Sequence, residues 1–178
     1  MADPPTKIEL NRAELRAVVR YAVACAEPVL EIFERARPGD PRPRAAIDVA
    51  QAFAEGAERT KVLRDRAWAA HRAAQEARDA GHSAASDAAR AAANACGAAF
   101  LHPLPKATQI KHILGSAAYA ASAFELSNGA GDITRYLAPT IVVDVLKRYP
   151  LGPNGGGRVG EWMRRLDTLL RNHTTSTS

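Results

Sequence analysis

The sequence is poor in large aromatic side chains and has no long uninterrupted hydrophobic run. Phe, Trp and Tyr together make up 6% of the residues, although hydrophobic residues of all types make up 47%. A membrane-spanning helix needs about 20 consecutive apolar residues, so the missing run predicts that no segment crosses a bilayer. The N-terminal residues also lack the basic and apolar regions of a secretory signal peptide. We therefore expect a cytoplasmic protein.

The sequence also lacks the residue patterns that carry catalysis or metal binding. Its two cysteines, Cys25 and Cys96, are not in a C-x-x-C spacing, and its five histidines form no H-x-x-x-H pair. There is no G-x-S-x-G motif for a nucleophilic serine. These absences favour a protein that is not an enzyme and that needs no metal and no cofactor.

The charged residues give a basic chain without a basic run. Lysine and arginine number 24 against 19 acidic residues, so the formal net charge is +5. A basic chain suggests nucleic-acid binding, but the charges alternate in sign, as in Arg64-Asp65-Arg66. Such mixtures are typical of solvated helix faces. Nucleic acid is thus not the expected partner, although binding through Arg42, Arg44, Arg64 and Arg66 stays open.

Alanine supplies much of the apolar content, and it recurs with the period of an α-helix. Between Ser83 and Leu101 two neighbouring alanine stripes run along one predicted helix, with Asp87 and Arg90 on its opposite side. Small side chains bring helix backbones close together, because little volume separates them. This pattern predicts an all-α fold in which the 83–101 helix is central.

Six to seven helices are expected, in one domain over residues 8–171, with a flexible N-terminus at 1–7 and a disordered tail at 172–178. The predicted segments run from Asn11 to Pro38 with a kink at Pro28, from Pro43 to Gly56, from Thr60 to Ala80, from Ser83 to Leu101, from Pro105 to Leu126, around Pro139 to Tyr149, and after Gly157. Their arrangement is either an alanine-rich bundle or a short array of stacked helical hairpins.

Polar residues form a ridge along the helix predicted after Pro105. Residues three and four positions apart lie on the same side of a helix, so the ridge is contiguous. It consists of Gln109, His112, Ser116 and Tyr119, and His102 and Lys106 extend it towards the helix start. This ridge is a candidate binding surface.

Trp68 and His71 form a second candidate surface on the helix predicted from Thr60. Aromatic walls with a few polar groups are typical of ligand sites, so a pocket between the two surfaces is one interpretation. The alternative interpretation places Trp68 and Tyr119 in the core with their polar edges satisfied, and it makes the histidines hydrogen-bond partners between helices. The sequence favours the core interpretation, because aromatic residues at helical spacing usually pack.

A glycine run, Gly155-Gly156-Gly157, precedes the last predicted helix. Backbone N–H groups at a helix start can hold an anion. However, the run follows a loop rather than a strand and has no adjacent lysine and serine or threonine. We interpret it as a flexible connector, with anion binding as the alternative.

Five segments resemble a bacterial family described as "putative immunity protein". They are PRPRAAID from Pro41, TKVLR from Thr60, AHRAA from Ala70, LHPLPKATQIKHILG over 101–115 and VVDVLKRYP over 142–150. The resemblance extends from about Ile8 to Arg171. Some members of the family carry an exonuclease label, but the carboxylate cluster that would hold two metal ions is missing here.

The resemblance implies a small helical domain that neutralises a toxin by direct binding, and it supplies no catalytic residues. Immunity proteins against nuclease toxins are often acidic, so the basic charge counts against a nuclease partner. The expected partner is a toxin protein of another class. The alternative is a small-molecule, antibiotic-like toxin that is sequestered between the alanine-rich helices.

Overall fold

The computed structural model describes residues 7–173, which form helices and connecting loops without any strand. Residues 1–6 and 174–178, which hold most of the predicted flexible N-terminus and tail, lie outside the described residues. The helices are α1 (Arg12–Ala26), α2 (Leu30–Ala36), α3 (Arg42–Ala54), α4 (Lys61–Asp79), α5 (Ser83–Gly97), α6 (Ile110–Asn128), α7 (Thr140–Lys147) and α8 (Gly157–Asn172). The all-α prediction is confirmed, and residues 7–173 contain seven helices when α1 and α2 are counted as one.

α1 and α2 are one helix that is interrupted at the predicted proline. Pro28 has no N–H group, and the chain forms a 3-10 turn over Glu27–Val29 before it continues as α2. At the start of α1, Asn11 Oδ1 accepts a hydrogen bond of 2.8 Å from the Glu14 backbone N–H. Glu14 Oε2 in turn accepts one of 3.0 Å from the Asn11 N–H. This reciprocal pair is a capping box, which an asparagine followed three residues later by a glutamate predicts from the sequence alone.

α5 is the central helix, as its alanine stripes predict. It packs against α1, α2, α3, α4 and α6. Its alanines at 88, 91, 92 and 95 are completely buried, and so are the facing alanines of α4 at 70, 73, 74 and 77. Small side chains on both helices let their backbones approach closely, and each alanine contributes contacts to the shared core.

α6 lies close to α5 because a glycine and a serine stand at their contact. A side-chain carbon added at Gly115 would lie 2.5 Å from Asn94 Oδ1 on α5. One residue further, the buried Ser116 hydroxyl donates a hydrogen bond of 2.8 Å to the Ala91 carbonyl. Ser116 is therefore part of the helix packing rather than of an exposed ridge.

The helices enclose one common core, which decides between the two predicted arrangements. α1 contacts α3, α5, α6 and α7, several of which are distant in sequence. In a stacked array each repeat would contact only its neighbours along the chain. The fold is therefore a bundle.

α7 and α8 complete this core from the other side of α6. Their buried residues include Val142, Val145, Leu146, Trp162, Leu166 and Leu170. Leu137 and Ile141 are exposed, because Leu137 precedes α7 and Ile141 lies on its outer side. None of the helices in the described part of the chain is both long and apolar enough to cross a membrane.

Candidate functional site

An open pocket of about 630 Å³ lies between α4, α5, the start of α6 and the start of α8. Pockets that bind small ligands commonly have volumes of about 300–1,000 Å³. Small residues line it on the α4 and α5 sides, namely Ala67, Ala93 and Gly97. Because these side chains are short, α4 and α5 leave space here that larger residues would fill.

Trp68 is exposed at this pocket, which overturns the core interpretation for that residue. Its side chain is 59% exposed, although tryptophan usually buries most of its area. The His71 ring stands edge-on to the Trp68 ring at 86°, with 6.0 Å between the ring centroids. Tyr119, from the predicted ridge on α6, is half-buried and lines the same pocket. Aromatic groups of α4 and α6 therefore converge on one space.

His71 is held by an arginine that lies behind it on α5. Arg90 Nη1 lies 3.3 Å from His71 Nδ1. A guanidinium group only donates, so His71 Nδ1 is the acceptor and the ring proton of neutral His71 is on Nε2. Burial lowers the pKa of His71, and the positive charges of Arg90 and Arg78 lower it further. Neutral His71 thus offers one N–H donor at the pocket.

His112 is the second histidine of the pocket, and Lys111 stands beside it. Burial lowers the pKa of His112, and the Lys111 charge adds to that effect. Lys111 is exposed and forms no ion pair with any described residue. Asn94 also lines the pocket, and its amide nitrogen donates a hydrogen bond of 2.8 Å to the Arg90 carbonyl. Most polar side chains of the pocket thus lie on α4, α5 and α6, and Thr108 and Asn154 add two more from the segments before α6 and α8.

The glycine run forms the edge of the pocket towards α8. Residues 153–156 and Gly160 line it, together with Val159 and Met163. The run is held in place, because Arg164 Nη1 donates a hydrogen bond of 2.7 Å to the Gly155 carbonyl. A side-chain carbon at Gly160 would lie only 1.9 Å from that carbonyl oxygen, so Gly160 permits the contact. The loop is therefore packed against α8, and anion binding by it stays a prediction.

Four of the eight predicted site residues do not line the pocket. Gln109 Oε1 accepts a hydrogen bond of 2.9 Å from the His102 N–H, and the His102 carbonyl accepts one of 2.7 Å from the Tyr149 hydroxyl. These contacts fix the loop before α6. Lys106 is exposed in that loop, and Ser116 is buried in the α5–α6 contact. The predicted ridge is thus divided, and only His112 and Tyr119 of it face the pocket.

Other pocket residues were missed because they come from separate parts of the chain. They are Ala67, Ala93, Asn94, Gly97, Thr108, Lys111, residues 153–156, Val159, Gly160 and Met163. Helical spacing groups residues on one helix, but it does not tell which helices meet. Lys111 had the clearest signal, since it is a basic residue directly beside His112.

The comparisons with known proteins identify a family but no characterised relative. The model of the family described as "Imm-5 like putative immunity protein" matches residues 9–138. That range contains α1 to α6 and ends before α7, short of the extent to Arg171 that the resemblance suggested. No curated protein and no solved structure matches the chain significantly. Because the match covers well over half of the sequence, the chain belongs to the Imm-5 like putative immunity protein family.

Proposed function

We propose that this chain is a non-enzymatic immunity protein that neutralises a toxin protein by binding it directly at the pocket. Membership of the immunity family supports a toxin partner in general. The pocket supports the location, because α4, α5, α6 and α8 bring aromatic and polar groups together there. A cytoplasmic location belongs to the same proposal, since the protein would protect the cell that makes it.

The observation that carries the proposal is the exposure of Trp68. A 59% exposed tryptophan leaves a large apolar area in contact with water, and covering that area with a partner is favourable. Tryptophan is also among the residues that contribute most to binding at protein interfaces. Since Trp68 contributes little to the core, its position at the pocket is best explained by a partner.

The proposal is tested by co-expressing the chain with candidate toxin proteins, chosen from the products of the neighbouring genes. We expect the wild-type protein to restore growth and Trp68→Ala to lose most of this protection. Val62→Ala is the matched control, because Val62 is an exposed apolar residue on the same helix but does not line the pocket. Full protection by Trp68→Ala, at equal protein level, would contradict the proposal.

A second candidate function is sequestration of a small-molecule toxin. The pocket volume of about 630 Å³ favours this candidate, because it lies within the range of drug-sized ligand sites. The two functions differ in what the purified protein does. A sequestering protein lowers the free concentration of the toxic compound in equilibrium dialysis without any partner protein, whereas an immunity protein forms a stable complex with the toxin protein in size-exclusion chromatography.

A further inference from the structure

We infer that the pocket receives an aromatic group that lies next to a negative charge, and that this group is an aromatic side chain flanked by aspartate or glutamate on the toxin. This inference rests on the proposed function, because it names the part of the toxin that is bound. It follows from two separate properties of the pocket, the shape of its apolar walls and the sign of its charge.

The apolar walls fit a planar group. Trp68 and Tyr119 contribute aromatic rings from α4 and α6, and Met163 contributes a thioether from α8. A ring between them can stack on Trp68 or meet its edge, and aromatic pairs of this kind stabilise a contact by about 0.5–1.5 kcal/mol beyond the area that they bury. A methionine sulfur beside an aromatic ring adds a favourable contact. Ala67 and Ala93 leave room for the ring, because neither side chain extends beyond its Cβ.

Lys111 is the only charged side chain among the described lining residues, since none of them is aspartate, glutamate or arginine. His71 and His112 line the pocket as well and contribute polar ring nitrogens. Arg90 adds a positive charge behind His71, at 3.3 Å from the ring. An anionic group at the pocket is therefore attracted by the Lys111 ammonium, which has no ion-pair partner among the described residues, and can accept hydrogen bonds from N–H donors, whereas a cationic group is repelled by Lys111.

Two nearby carboxylates, Glu125 and Asp87, form no ion pair with Lys111. Glu125, on α6, accepts a hydrogen bond of 2.7 Å from Trp162 Nε1 and forms an ion pair of 3.4 Å with Arg158. Asp87, on α5, accepts a hydrogen bond of 2.6 Å from the Ser122 hydroxyl. Both carboxylates are thus engaged with other residues and do not line the pocket. Charge complementarity selects an acidic partner, in accord with the basic net charge of the chain.

The chemistry is tested with three probes that share one ring system, namely 2-naphthoate, 2-naphthamide and 2-naphthylmethylammonium. The purified full-length chain is titrated with each probe at low salt, and the dissociation constants are measured by 1H–15N NMR. Two charges about 4 Å apart in water interact by about 1 kcal/mol, which corresponds to about a fivefold change in affinity. We therefore expect naphthoate to bind about fivefold more tightly than the amide, and the cation to bind most weakly.

The variant Lys111→Met shows how much of the probe affinity comes from the lysine charge and how much from stacking on the aromatic rings. This variant should lose the preference for naphthoate over naphthamide, whereas Lys106→Met should keep it, because Lys106 is an exposed lysine that does not line the pocket. Trp68→Ala should lower the affinity for all three probes. Equal affinity for the three probes in the wild type, preference for the cation, or no binding at all would overturn the inference.

Capped peptides test whether the bound aromatic group belongs to a protein segment or to a small molecule. In one peptide tryptophan stands between two aspartates, and in the other it stands between two asparagines. Tighter binding of the aspartate peptide than of both the asparagine peptide and free naphthoate supports a toxin segment. Tighter binding of free naphthoate overturns the assignment to a protein segment and points to a small-molecule anion. These titrations contain no toxin, so their outcome is independent of the growth assay that tests the proposed function.

Discussion

Two helices, α4 and α5, use small residues in two opposite ways. In the middle of the bundle, alanines of α4 and α5 face one another and are completely buried, so the backbones pack closely. At the pocket, Ala67, Ala93 and Gly97 line a space of about 630 Å³ that stays open. The difference teaches that an alanine-rich helix builds either a dense core or a cavity, depending only on what lies opposite.

The two tryptophans of the chain differ in the same way, since one is buried in the core and the other borders the pocket. Trp162, on α8, is 5% exposed and donates a hydrogen bond of 2.7 Å to Glu125 Oε2. Trp68, on α4, is 59% exposed and borders the pocket. If the comparison is right, substitutions in the buried region change mainly stability and those at the pocket change mainly binding.

The largest expected effect comes from removing each tryptophan in turn. Trp162→Ala should lower the free energy of unfolding by about 3–5 kcal/mol, because it leaves a cavity in the core. Trp68→Ala should lower it by less than about 1 kcal/mol, since an exposed side chain loses few contacts. Urea unfolding followed by circular dichroism measures both values. Similar losses for the two variants would remove the distinction between the regions.

Enlarging one alanine in each region should have the next largest effect. Ala92→Leu inserts three carbons into a fully buried contact of α5 and should cost about 3 kcal/mol. Ala67→Leu places the same carbons at the open pocket and should cost less than about 1 kcal/mol. Thermal unfolding of the two variants compares them directly. A large loss for Ala67→Leu would show that the pocket closes in solution.

A double-mutant cycle examines the boundary between the regions, where Asn94 meets Gly115. A side-chain carbon at Gly115 would lie 2.5 Å from Asn94 Oδ1, so the substitution Gly115→Ala displaces that amide. In the Asn94→Ala background the same substitution should stabilise by about 1 kcal/mol through helix propensity. In the wild-type background we expect this gain to be lost. The free energies of unfolding of the four proteins give the coupling energy between positions 94 and 115. Additive effects of the two substitutions would exclude a contact between Asn94 and Gly115.

The smallest expected effect is a pH dependence that arises at the pocket. Burial lowers the pKa of His112 below its ordinary value of 6.5. Below pH 6.5 the unfolded chain therefore binds a proton that the folded chain does not, and stability falls as the pH falls through this window. His112→Gln should flatten the dependence between about pH 7 and pH 5.5. An unchanged slope in melting experiments would contradict the burial of His112.

The sequence predicts the fold well where local rules apply. The capping box at Asn11, the break at Pro28 and the central α5 all depend on residues that are close in sequence, and the structure confirms them. The bundle, rather than a stacked array, depends on contacts between distant helices.

The candidate site is predicted only in part, for a related reason. Trp68, His71, His112 and Tyr119 lie on two helices whose periodicity was visible, and all four line the pocket. The wall of the pocket that residues 153–156 and α8 form was not predicted, because the sequence does not show how the last helix packs against α6. Ser116 has the spacing of a surface residue, but Gly115 beside it brings α5 so close that the serine is buried.

The most direct test of the central claim follows the two tryptophan indole N–H signals in one NMR spectrum. The 15N-labelled wild-type chain is titrated with 2-naphthoate, and both signals are recorded at each step. If the pocket at Trp68 is a binding site, the Trp68 signal shifts in a saturable manner, whereas the Trp162 signal stays where it is. A Trp68 signal that does not move, or equal shifts of both signals, would contradict this account.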